Sequence, residues 1–294
     1  MKDRSRGDRV FQIAVYAIIV LIAIFTLYPL VYSLSASVSE PREILNGHVW
    51  LYPVNITTNA YQRVFRSADI QSGYLNTIIY AVAGTALNLL MTIAAAYPLS
   101  MKDMKGRNFI TIMITFTMFF SGGMIPTYIN IKNLGLLNTR WSVILPGLIN
   151  VTNLLILRNY FINSVPDELH EAAEIDGSSP MNTLFTIILP LSKSILVVIT
   201  IYYFVAHWNA YFDAMMYITK RNKWPLQVFL RQILLLSQMG DMAETMGADD
   251  ANTALLYASL KYAIIIIAAL PLIIVYPLVQ KFFEKGIMLG SVKG

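Results

Sequence analysis

Long runs without a charged side chain, separated by short clusters of charge, set the pattern of this chain. The uncharged stretches extend from Phe11 to Ser39, Ile70 to Met101, Asn108 to Ile131, Trp141 to Leu157, Ser194 to Phe212 and Tyr262 to Gln280. At ~1.5 Å of rise per residue, each approaches or exceeds the ~20 residues that carry an α-helix across a ~30 Å hydrocarbon core. The pattern predicts an all-α integral membrane protein, one transmembrane domain over residues 1–294. Six transmembrane helices are expected at roughly 11–35, 73–100, 108–131, 141–158, 193–213 and 258–281. The fourth, between Arg140 and Arg158, is the shortest. Proline and glycine punctuate these spans: Pro29, Pro98, Pro126 after Ser121-Gly122-Gly123, and Pro271 with Pro277. Such breaks persist in a bilayer where neighbouring helices or a water-lined cavity satisfy the freed backbone groups, which fits a bundle around a pathway better than a single anchor.

Composition agrees with the pattern. Hydrophobic residues make up 56% of the chain and charged residues 13%, against about a quarter charged in soluble domains. Lys2, Arg4, Arg6 and Arg9 precede the first apolar run, which is too long for a cleavable signal. An uncleaved first helix with its N-terminus inside is expected. The short turn holding Lys102, Lys105 and Arg107 then lies inside as well. By alternation, residues 40–69 and 213–256 lie outside, and the link 158–193 and the tail from Lys281 lie inside. The expected location is a bacterial-type cytoplasmic membrane, crossed several times, with both termini cytoplasmic.

The side-chain inventory argues against chemistry on this chain. Cysteine is absent, and His48, His170 and His207 show no metal-ligand spacing. No metal site, no catalytic set and no Gly-rich phosphate loop are present, so any nucleotide belongs to another subunit. The net charge of +5 suits inner loops of a membrane protein better than a nucleic-acid surface.

The inner link 164–190 stands out. Pro166 suits a first helical turn, with Asp167, Glu168 and Glu171 near its positive end; Ala172 and Ala173 favour helix, and Gly177 ends it. Ser179-Pro180 opens a second helix that runs to Leu189. The segment is too acidic to enter lipid. Glu171-Ala172-Ala173, Gly177, Ile187, Leu189 and Pro190, with Asp176 before the glycine, resemble the signature of binding-protein-dependent ATP-binding-cassette importer permeases at every position and spacing. The resemblance implies a cytoplasmic coupling helix that docks on an ATPase subunit, with Glu171, Ala172, Ala173, Asp176, Gly177, Ile187, Leu189 and Pro190 as the ATPase-coupling residues.

The C-terminus, with Gly290, Val292, Lys293 and Gly294, resembles the tail of the smaller permease of maltose-type importers, which contacts the ATPase subunits. A frayed basic tail at the membrane surface is the other reading of so short a motif. The runs Phe120–Tyr128 and Leu145-Pro146-Gly147-Leu148 resemble the branch associated with pectin and alginate oligosaccharides. The resemblance implies an importer of oligosaccharides, with acidic fragments of pectin or alginate as the expected substrates. It also implies four kinds of partner: a second, related permease chain, two ATPase subunits that hold ATP and Mg, an extracytoplasmic sugar-binding protein, and membrane lipid.

Within the spans, Tyr80, Asn88, Asn153, Tyr203 and His207 are the candidates for a sugar pathway, since amides and hydroxyls bond sugar hydroxyls and aromatic faces cover sugar rings. The same residue types also join helices to one another or sit at membrane interfaces. A secondary transporter is the alternative, but His207 has no charged partner within the spans. A membrane assembly protein without transport activity would leave the inner link without a task.

Overall fold

The computed structural model describes residues 6–245 and 251–288. Among them every regular element is helical: α1 (Arg6–Ser37), α2 (Pro41–Leu45), α3 (Asn59–Arg66), α4 (Ala68–Ser100), α5 (Arg107–Phe119), α6 (Met124–Asn133), α7 (Trp141–Ile144), α8 (Val151–Ser164), α9 (Asp167–Ile175), α10 (Pro180–Thr183), α11 (Leu189–Leu191), α12 (Lys193–Asn209), α13 (Phe212–Tyr217), α14 (Leu226–Thr245) and α15 (Ala251–Met288). A π-helical turn, Leu184–Ile188, links α10 to α11, and a 3₁₀ turn, Arg221–Lys223, precedes α14.

Among the described residues three helices are long and apolar enough to cross a membrane: Gly7–Ser37, Ala68–Ser100 and Tyr257–Pro277. They coincide with the first, second and sixth expected spans. None of the most apolar stretch of α1 is buried, so its side chains need lipid or another protein around them. Two further candidates are bent pairs of helices, α5 with α6 at 114° and the helical run Pro180–Leu191 with α12 at 86°. The third expected span is therefore broken. Gly123 adopts φ 83° and ψ 179° at the break, a conformation closed to residues with a Cβ. The fourth is broken too, with only the four-residue α7 before a non-helical stretch at 145–150. Pro146 removes a backbone donor there, and the Asn150 side chain restarts the chain as α8 by accepting from Asn153 N at 3.1 Å.

The chain divides into two compact units. One comprises Met1–Ala68 and Leu230–Leu270, the other Asp69–Phe229 and Pro271–Gly294. In the first, Ala36, Ile44 and Val49 form a small core with Tyr32, Val54 and Tyr262 packed against it. The second has a larger core that joins α4, α8, the α10–α11 region and α12 through Ala96, Leu99, Leu154, Leu157, Leu184, Ile188 and Ile199. A separate cluster of Tyr80, Val143, Ile144, Ala214, Ile218 and Val228 packs α4 against α7 and α13.

Candidate functional site

The inner link folds as a helix, a glycine turn and a second, irregular helix. Gly177 sits at φ +73° immediately after the helix cap. Its N–H donates to Glu174 O at 3.0 Å, and Ser178 N–H donates to Ala173 O at 2.9 Å. This pair of reversed bonds is the Schellman closure, which satisfies carbonyls that the end of α9 would otherwise leave open. Ser179 then caps the next helix, its hydroxyl accepting from Asn182 N at 3.3 Å, and Pro180 fills the first turn where no donor is needed.

The loop has one buried side and one exposed side. Ala173, Thr183, Leu184 and Ile188 are buried, and Ile187 and Leu189 pack partly against the same core. Glu171, Ala172, Glu174, Asp176 and Gly177 are exposed, as is Pro190. Ile175, at the tip between the carboxylates, is 86% exposed. It is an apolar side chain at the apex of an acidic turn, and nothing in the sequence motif singled it out.

One tether fixes the loop to the end of α4, and another fixes α8, which leads into the loop, to the same end. Tyr97 donates its hydroxyl to Pro180 O at 3.0 Å and stacks on His170 with ring centres 6.2 Å apart. Arg158, in the last turns of α8, donates from Nε to Leu99 O at 2.8 Å. Neither residue belongs to the motif; each lies on a different span and is brought there by the fold.

The five candidate pathway residues fall into two places. Tyr80, 1% exposed, donates to Lys223 O at 2.8 Å, beside Asn76, which bonds Asn222 O and Trp224 O and accepts from Arg140. The other four lie at the break before α8. Asn88 donates to Gly147 O at 2.7 Å, and its Oδ1 meets His207 Nε2 at 3.1 Å. Tyr203 accepts from Asn150 N at 3.1 Å, and Asn153 lies in the first turn of α8 under the Asn150 cap. Tyr80, Asn88, Asn153 and Tyr203 are buried in this conformation. The tail residues Gly290, Val292, Lys293 and Gly294 lie outside the described residues. Among the described residues no cluster of three or more metal-ligating side chains occurs.

Comparison with known proteins agrees with this architecture. Residues 88–289 match the family described as binding-protein-dependent transport system inner membrane component. The chain is 38% identical, over 98% of its length and 99% of the relative's, to the polygalacturonan/rhamnogalacturonan transport system permease protein YtcP of Bacillus subtilis. It is 39% identical to Protein LplC of the same organism, over 99% of this chain and 97% of that one. A crystal structure of a bacterial ABC transporter involved in the import of the acidic polysaccharide alginate contains a chain of similar fold. The TM-score is 0.85 with 34% identity, covering 96% of this chain and 100% of the other. The chain belongs to the binding-protein-dependent transport system inner membrane components, as a permease subunit of an ATP-binding-cassette importer whose ATP hydrolysis takes place on separate subunits.

Proposed function

We propose that this permease imports acidic oligosaccharides derived from pectin or alginate. The observation that carries the substrate class is the likeness, over nearly the whole chain, to a permease named for polygalacturonan and rhamnogalacturonan and to a transporter of alginate. The chain pairs with a different but related permease chain, with two ATPase subunits that hold ATP and Mg, and with an extracytoplasmic sugar-binding protein. It binds no cofactor itself. Its 294 residues form one permease domain of six spans, the third and fourth broken, with both termini in the cytoplasm.

In this reading the loop 164–190 is the coupling element. Glu171, Ala172, Asp176 and Gly177 meet the ATPase, while the buried Ala173 and the partly buried Ile187 and Leu189 hold the loop to the bundle, with Pro190 exposed beside them. The closed turn at Gly177 and the exposed Ile175 support that role, because a rigid acidic apex with one apolar side chain offers both shape and contact. The tail residues Gly290, Val292, Lys293 and Gly294 also contact the ATPase subunits. Tyr80, Asn88, Asn153, Tyr203 and His207 line the pathway in another conformation of the cycle, since four of them are buried in this one. A ligand shifts that equilibrium only by its differential affinity for the two states.

The test is ATPase activity of the assembled complex in liposomes, with its binding protein and a panel of oligosaccharides. Galacturonate or alginate fragments should stimulate hydrolysis and enter the liposomes. Stimulation by neutral maltodextrins alone overturns the substrate class and leaves the permease assignment standing.

A further inference from the structure

The break in the fourth expected span is held by side chains from two other helices. Non-helical backbone within a bilayer has no water to fall back on, so its groups must be met by protein or by a water-lined cavity. At 145–150 two of these groups are met from a distance. Gly147 O accepts from Asn88 Nδ2 at 2.7 Å, and Asn150 N donates to the Tyr203 hydroxyl at 3.1 Å.

Asn88 is itself oriented. A carbonyl only accepts, so Nδ2 must face Gly147 and Oδ1 must face His207; the proton of the imidazole therefore sits on Nε2. The ring that supplies it rests against Gly84. A Cβ at that position would lie 2.5 Å from Nε2 and 2.7 Å from both Cδ2 and Cε1, so any side chain at 84 pushes the imidazole off Asn88. On the next turn, Thr92 Oγ1 and the Tyr203 hydroxyl are 2.7 Å apart. Gly84, Asn88 and Thr92 follow one another at four-residue intervals on α4, and Tyr203 and His207 do so on α12, so each set forms a stripe on one helix face. The stripes meet on one side of the break; Pro146, Gly147, Ile149 and Asn150 are exposed.

We infer that Gly84, Asn88 and Thr92 on α4, with Tyr203 and His207 on α12, are positioning residues that clamp the segment 145–150 and set the placement of its exposed face for transport. The inference rests on the transport reading for its consequence but not for its geometry, so the experiment reads both.

Because the chain contains no cysteine, Ile149→Cys supplies a single reporter on the exposed side of the break. In the assembled complex, Asn88→Leu and Tyr203→Phe should each change its modification rate with a water-soluble maleimide by about tenfold and lower the sugar moved per ATP hydrolysed. Gly84→Ala should reproduce Asn88→Leu, and the double variant should be no worse than the more severe single, as expected of residues acting through one bond. Thr77→Val, which removes another buried hydroxyl of α4 that bonds Leu226 N, should leave the reporter rate unchanged. If Asn88→Leu does not assemble, Tyr203→Phe decides, because it keeps the ring and removes only the hydroxyl. A reporter rate within about twofold of the parent in an assembled Tyr203→Phe complex overturns the inference, and so does multiplication of the Gly84→Ala and Asn88→Leu effects in the double variant. Loss of transport in every complex, the parent included, counts against the transport reading alone, because labelling still reports the clamp.

Discussion

Replacing Gly177 by valine separates the geometry of the coupling turn from its packing. An added Cβ at this position meets nothing within 4 Å, so it carries no steric penalty against neighbours. The cost visible in the structure lies in the backbone. At φ +73° an L-residue loses about 1–2 kcal/mol relative to glycine, with a β-branched side chain at the upper end. Escaping that strain means opening the turn and giving up the bonds from Gly177 N to Glu174 O and from Ser178 N to Ala173 O. At roughly 0.5–1.5 kcal/mol each, the alternative is no cheaper. The population of the native turn should therefore fall about five- to thirtyfold while the core behind the loop stays intact. Gly177→Asn should be the mildest change and Gly177→Ala intermediate, because asparagine tolerates the left-handed region best among residues with a side chain. The assay is binding-protein-stimulated ATPase activity in liposomes, scored against the amount of complex assembled. Stimulation should decline in the order glycine, asparagine, alanine, valine at constant assembly. A valine variant with full stimulation, or a series that ignores this order, refutes a coupling role for the turn.

Tyr97→Phe removes the hydroxyl that holds Pro180 O but keeps the ring against His170 and Phe161; a loss of about 0.5–1.5 kcal/mol in stability should appear in thermal unfolding, with a matching fall in coupling efficiency. Deleting residues 289–294 should leave membrane insertion unchanged and alter the ATP hydrolysis rate of the complex; a wild-type rate favours a frayed tail. Asp69→Asn, which breaks an exposed pair with Arg221 at 2.9 Å, should change stability by less than about 1 kcal/mol. Arg221→Ala should cost more than Asp69→Asn, because the guanidinium also lies 5.6 Å and 5.2 Å from the ring centres of Trp224 and Phe229. Equal effects in denaturation would show that those ring contacts contribute nothing.

What was legible in the sequence follows the range of the interactions involved. The first, second and sixth expected spans are visible because length and absence of charge are local properties. The turn at Gly177 is visible for the same reason: Pro166, Gly177 and Ser179-Pro180 each impose a backbone conformation on their own few residues. The breaks in the third and fourth spans were marked in the sequence by Gly122-Gly123 and by Pro146-Gly147. Those marks could not be told from tolerated irregularities, because a helix break in a bilayer stands or falls on who satisfies its backbone. The answer for the fourth span lies on Asn88 and Tyr203, 59 and 53 residues away from their partners. Of the polar residues chosen as pathway candidates, Tyr80, Asn88 and Tyr203 prove, in this conformation, to be bonded to backbone. A sequence shows that an amide inside a span needs a partner, and leaves open whether that partner is a sugar, water or a carbonyl. The π-helical turn Leu184–Ile188 and the tethers from Tyr97 and Arg158 had no local signal at all.

The coupling turn and the clamped break are connected by two rods. Helix α8 begins at the Asn150 cap and ends at Ser164, one residue before the Val165-Pro166 link into α9, so its two ends are the break and the loop. Helix α4 carries Asn88 at the break and Tyr97 at the loop, ~13 Å apart along one continuous helix. Between these ends the helices share a close-packed core of Ala96, Leu99, Leu154 and Leu157. A packed interior of this kind resists gradual deformation, so displacement at one end passes to the other as movement of a body, not as local strain. Arg158 bonding Leu99 O fastens the two rods together near the loop, and at the break Asn88 of α4 bonds Gly147 O while Tyr203 of α12 bridges Thr92 of α4 and Asn150 N at the start of α8. In the proposed cycle a push received at α9 would reach the segment 145–150 through these two packed helices and their bonds at the break.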